Sequence, residues 1–123
     1  MGSNPANLAF RFLLELAAYM AIGFWGWQQA DNIVLKIVLA VGLPIISAVL
    51  WATFAVPNDP SRSGKAPVPV PGWLRLILEL AFFAFAAWAM FDLEFVTLSR
   101  IMAVLVLIHY ALSYDRLLWL LKQ

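Results

Sequence analysis

An all-α integral membrane protein is the fold class this sequence predicts, and three observations predict it. Of 123 residues, 64% are hydrophobic and only 12% charged, where a soluble domain carries roughly a quarter charged residues. Four stretches, at 6–28, 34–56, 73–92 and 98–120, are long and apolar enough for a helix to cross a bilayer, which takes about 20 residues for about 30 Å of hydrocarbon. A single proline-rich break separates them two and two. The net charge of +1 offers no basic footprint for nucleic acid, and the absence of cysteine removes disulfides, thiolate metal sites and cysteine nucleophiles.

The first helix opens at Asn4-Pro5, with Asn as N-cap and Pro at the first helical position, where its missing N–H costs nothing. Gln28-Gln29-Ala30-Asp31-Asn32 is too polar for lipid and turns the chain back. The second helix is the cleanest, uncharged from Ile37 to Asn58. Within it Pro44 lacks the N–H that would bond to the Ala40 carbonyl, which predicts a kink. The linker 57–72 holds five of the seven prolines and cannot be helical. It divides one transmembrane domain into hairpin one, 6–56, and hairpin two, 73–120. Pro71-Gly72 opens the third helix, and the fourth carries His109 near its middle. Small residues at Ala17, Ala21, Gly23 and Gly26 in the first helix, and at Ala84, Ala86, Ala87 and Ala89 in the third, allow close backbone approach.

Orientation follows from the basic residues near the helix ends. Arg11, Arg62, Lys65, Arg75, Arg116 and Lys122 fall on the side of the termini and linker, against Lys36 and Arg100 on the other. Both termini are therefore expected in the cytoplasm, in a multi-pass protein of the cell membrane. Trp51, Trp73 and Trp119 near one interface and Trp25, Trp27 and Trp88 near the other fit the aromatic belts of such a protein.

Sliding the chain against itself by 64 residues superposes Arg11-Phe12-Leu13-Leu14-Glu15-Leu16-Ala17 on Arg75-Leu76-Ile77-Leu78-Glu79-Leu80-Ala81 and Lys36 on Arg100. Each half holds two crossings, so the expectation is a four-helix bundle of two parallel-related hairpins with pseudo-twofold symmetry along the bilayer normal. The first and third helices should then meet with Glu15 and Glu79 turned inward. The first-helix run Asn7-Leu8-Ala9-Phe10-Arg11-Phe12-Leu13-Leu14-Glu15-Leu16-Ala17-Ala18, with the segment from Gly42-Leu43-Pro44 through Leu50-Trp51 to Val56-Pro57, resembles the YrdB family of small bacterial membrane proteins. The resemblance covers most of the chain and brings no activity or catalytic residue with it.

Glu15 and Glu79 should lie about 10 Å inside the leaflet at 1.5 Å per residue, where a central charge costs about 2.5–3.5 kcal/mol on insertion scales. Each must face the bundle, be protonated or be paired, and Arg11 and Arg75 sit one helical turn earlier on the same faces. His109 falls near the midplane, with Ser113 and Arg116 continuing a polar stripe at i+4 and i+7. A midplane histidine can relay protons, yet a lone one without further spaced ligands implies no metal, and a hydrogen bond to a neighbouring helix is its simplest role. No phosphate loop, nucleophile elbow or His-Glu-x-x-His motif is present, so neither an enzyme nor a cofactor is expected.

Two functions fit these residues. One is a small proton-coupled transporter or permeation unit, in which Glu15, Glu79, Arg11, Arg75, His109, Ser113 and Arg116 bind protons or a small-molecule or ion substrate of unknown identity. The other is a non-catalytic membrane protein that binds lipid or a partner protein, its Arg-Glu pairs serving folding. A transporter needs both glutamates in one water-accessible cavity, whereas a scaffold buries them against arginines. Besides the bilayer itself, a second copy of the chain is a possible partner.

Overall fold

The computed structural model describes residues 4–61 and 65–123, and Arg62 lies outside them. Its helices are α1 (Pro5–Trp27), α2 (Ile33–Thr53), α3 (Gly72–Asp92), α4 (Val96–Leu112) and α5 (Tyr114–Leu121). The first three are each long and apolar enough to cross a membrane, and α4 with α5 makes a fourth if that bent pair is one span. The expected uninterrupted crossing at 98–120 is corrected here: the chain bends by 72° between α4 and α5, at Ser113 with φ −97° and ψ 25°. Ser113, an N-cap residue type, opens α5 with Asp115 in its first turn. Asn7 of α1 donates through Nδ2 to the Ser113 hydroxyl at 2.7 Å, which ties the bend to the first helix.

Local chemistry sets the other ends. Asn4 Oδ1 accepts from the Ala6 N–H at 2.9 Å, and Asn32 caps α2 in the same way through the Val34 N–H at 2.8 Å. Beyond α3, Glu94 occupies the left-handed region with φ 68°. There the Phe95 N–H reaches the Met90 carbonyl at 2.8 Å and the Glu94 N–H the Phe91 carbonyl at 3.0 Å. This is a Schellman closure with glutamate where glycine is usual.

The buried core is apolar and drawn from three helices: Leu14, Ala18 and Ile22 of α1, Phe82, Phe83 and Ala86 of α3, and Met102, Val106 and Tyr110 of α4. The second helix packs mainly along α1 and contributes no buried residue. Pro44 sits inside α2, which stays helical across it. The Ala40 carbonyl that Pro44 leaves without its helical N–H lies against Gly23 of α1, where a Cβ would come within 2.9 Å of it. Small residues thus let α1 and α2 touch through backbone, as packing in lipid favours.

The linker is more ordered than its prolines imply. Phe54–Ala55 (β1) pairs in parallel with Val68–Pro69 (β2), and the Val70 N–H donates to the Ala55 carbonyl at 2.9 Å. The first strand of this short clasp packs against α3, and Asp59 ties the described part of the linker to α5 through Arg116.

Candidate functional site

A buried ionic cluster occupies the linker end of the molecule, with Glu79 at its centre. Glu79 is 0% exposed. Its Oε2 accepts from Arg75 Nε at 2.7 Å, Arg11 Nη2 at 3.0 Å and Arg116 Nη2 at 2.7 Å. Its Oε1 accepts from Arg116 Nη1 at 2.9 Å and from the Tyr110 hydroxyl at 2.7 Å. One carboxylate therefore joins α1, α3, α4 and α5.

Arg116 bridges two acids. One edge grips Glu79, and the other grips Asp59, with Nε to Oδ1 at 3.0 Å and Nη2 to Oδ2 at 2.7 Å, the paired geometry that suits a planar guanidinium. Asp59 is held in turn by the linker: its Oδ1 accepts from the Ser61 N–H at 2.9 Å and the Ser61 hydroxyl at 2.8 Å. Arg11 donates to that same Ser61 oxygen. Arg11 also pairs with Glu15, at 3.3 Å. Three guanidiniums, Arg11, Arg75 and Arg116, so meet three carboxylates, Glu15, Glu79 and Asp59, and the cluster is neutral as a whole.

Aromatic and backbone groups complete it. The guanidiniums of Arg75 and Arg11 lie over the Trp51 ring, 4.6 and 4.9 Å from its centroid, each contact worth roughly 2 kcal/mol where water is excluded. Arg75 Nη1 donates to the Trp51 carbonyl and, at 2.6 Å, to the Phe54 carbonyl. It thereby satisfies acceptors at the C-terminal end of α2, where a cation is favoured. Beside the cluster, Asn7 Oδ1 meets His109 Nδ1 at 3.1 Å, while Phe10 packs edge-on to the imidazole. Among the described residues no group of three or more metal-ligating side chains is found.

The seven residues singled out in the sequence converge on this end, in unequal roles. Glu79, Arg75, Arg11 and Arg116 form the network, and His109 and Ser113 bracket Asn7. Glu15 lies at the edge with its side chain 16% exposed, so the two glutamates that the 64-residue offset superposes have different surroundings. Arg11 and Arg75 do not reach out to the surface but are buried with Glu79. Sequence reasoning missed Asn7, Asp59, Ser61 and Tyr110. A usable signal existed for Asn7, which begins an i, i+4 ridge with Arg11 and Glu15 on α1. Asp59 lay hidden among the linker prolines.

Burial tends to raise the Asp59 carboxyl, but the hydrogen bonds and charge of Arg116, with the two bonds from Ser61, outweigh it and hold Asp59 below the usual carboxylate range. Stability from this pair is fully present above the unfolded value of about 3.9 and is lost as pH falls through the lower folded value. Melting temperatures measured from about pH 6 down to about pH 2 should therefore fall more steeply for wild type than for Asp59→Asn, which lacks the titrating group. Parallel curves would exclude a stabilising Asp59–Arg116 pair.

The fold and the site together define a small all-helical protein, with helices apolar enough to span a membrane, built around a buried arginine–carboxylate cluster. The chain belongs to the DUF2568 family, described as proteins of unknown function, whose pattern matches residues 9–107. It is 41% identical over 120 residues to the uncharacterized protein YrdB of Bacillus subtilis (strain 168), a match spanning 98% of this chain and 97% of that protein. No solved structure matches it.

Proposed function

We propose that this is a non-catalytic integral membrane protein whose arginine–carboxylate cluster locks the helices and linker together at the cytoplasmic face, and which acts through the lipid or protein it contacts in the bilayer. The observation that carries this reading is the saturation of Glu79, which takes five hydrogen bonds from four side chains. A carboxylate that must load and release a proton needs water and freedom to move. Glu79 has three cationic partners and no exposed surface. The linker side carries most of the basic residues, which favours the cytoplasm for it and for both termini. Gene duplication into two parallel-related hairpins accounts for the matching Arg11-Glu15 and Arg75-Glu79 pairs, Glu79 having become the hub and Glu15 the periphery.

Liposomes loaded with a pH-sensitive dye separate this reading from proton-coupled transport. After an acid pulse, vesicles with wild-type protein should acidify no faster than empty ones, and Glu79→Gln should change thermal stability without changing flux. Proton entry in wild type that Glu79→Gln abolishes would establish transport and defeat the lock as the main role.

A further inference from the structure

At the end of the molecule away from the cluster, an apolar groove of about 640 Å³ lies between α1, the start of α4 and α2, with Ala17, Gly23, Phe24, Trp27, Leu93 and Phe95 among its walls. Small residues of α1 line it together with bulky side chains at the loop end. Phe24, Leu93 and Phe95 also border a second, polar cavity of about 500 Å³ lined by Gln28, Gln29, Asp92 and Glu94. The two cavities share these three walls, so an apolar trough adjoins a hydrogen-bonding, acidic mouth. Trp25 holds Asp92 at the rim through Nε1 to Oδ2 at 2.8 Å. On the far flank the Lys36 ammonium lies 5.0 Å from the centroid of Trp27.

We infer that this groove binds a membrane phospholipid whose headgroup carries a primary ammonium: an acyl chain fills the trough and the ammonium meets Asp92 and Glu94. The charge pattern favours this occupant over an anionic lipid. Two carboxylates and two amide side chains suit an N–H donor. An anionic headgroup without the amine would face the acids unpaired. The inference rests on the reading that the protein acts through its bilayer contacts, and it gives that reading a lipid partner.

The test uses the full chain in phosphatidylcholine bilayers, with brominated acyl chains introduced on phosphatidylethanolamine, phosphatidylglycerol or phosphatidylcholine and tryptophan quenching as the readout. Brominated phosphatidylethanolamine should reach half-quenching at about a threefold lower mole fraction than either other lipid, the scale of a modest charge contact. Glu94→Gln should narrow that preference, Ala17→Phe should block the trough, and Trp27→Phe should remove most of the selective component. Retained helical circular dichroism would show that these variants fold. Equal quenching by all three lipids, meaning ordinary boundary lipid only, or a preference for phosphatidylglycerol, would overturn the inference. Either result leaves the lock at Glu79 to be judged on stability alone, so the two failures are distinguishable.

Discussion

Glu79→Ala is expected to be among the most damaging single substitutions in this protein, removing about 3–5 kcal/mol of stability, the usual cost of stripping one partner from a buried ion pair. The magnitude comes from what is left behind. Arg11, Arg75 and Arg116 would lose their shared acceptor, and with Asp59 and Glu15 as the remaining acids of the cluster among the described residues, three guanidiniums would face two carboxylates in a buried site. The Tyr110 hydroxyl would lose its partner as well. Glu79→Gln keeps the shape but not the charge and should still be severely destabilised. Glu15→Gln is the control, since its side chain touches Arg11 at 3.3 Å from a partly exposed position and should cost less than about 1 kcal/mol. Thermal unfolding in detergent micelles ranks the three. Equal losses at Glu79 and Glu15 would defeat the reading of Glu79 as the hub.

The second large effect is expected at Gly72, the first residue of α3. A Cβ there would overlap the carbonyl oxygen and carbonyl carbon of Leu120. That is backbone, with no side chain able to swing aside, so Gly72→Ala must push α3 and α5 apart. Overpacking typically costs about 1–3 kcal/mol, occasionally more. The strain falls between the two elements that carry Arg75, Glu79 and Arg116, so the same substitution should loosen the ionic cluster. Increased amide hydrogen exchange across α5, alongside a lowered melting temperature, is the expected result. Unchanged exchange would mean that α5 docks without the cluster.

The four apolar stretches were legible because crossing a bilayer demands a length and a composition that few other folds need, and the observed ends of the first three helices fall within a few residues of the expected ones. Asn4 and Asn32 mark their helices by side-chain chemistry that acts over two residues. The bend at Ser113 was not read, since a Ser with an acid two residues on inside an apolar run is a weak helix-start signal and the amide that holds the Ser113 hydroxyl lies on α1, more than a hundred positions earlier. For the site, the i, i+4 pairs Arg11-Glu15 and Arg75-Glu79 could be read because helical geometry brings them together. Asp59 could not, because a proline-rich linker has no period to say where its side chains point. Arg116 was placed on a polar stripe of a straight helix, but the bend delivers it to two carboxylates at once. That the two glutamates would differ also lay beyond a repeat, which predicts equivalent positions and says nothing of which one the bend and linker will enclose.

The dispersal of the cluster along the chain has a bearing on biosynthesis. Arg116 and Asp59 are 57 positions apart, and Arg11 and Glu79 are 68 apart, so in a protein that inserts into the bilayer as proposed these contacts cannot exist while the first two helices alone are entering. During that interval each emerging helix brings its own counterion: Arg11 has Glu15 one turn away, and Arg75 has Glu79. Such local pairs let a helix bearing two charges partition into lipid as a nearly neutral segment. Once α3 docks on α1 with its Arg11 and α5 follows with Arg116, Glu79 goes from one arginine to three. The paired turns would thus serve first as travelling companions for insertion, and only afterwards as the clasp that holds the finished protein together.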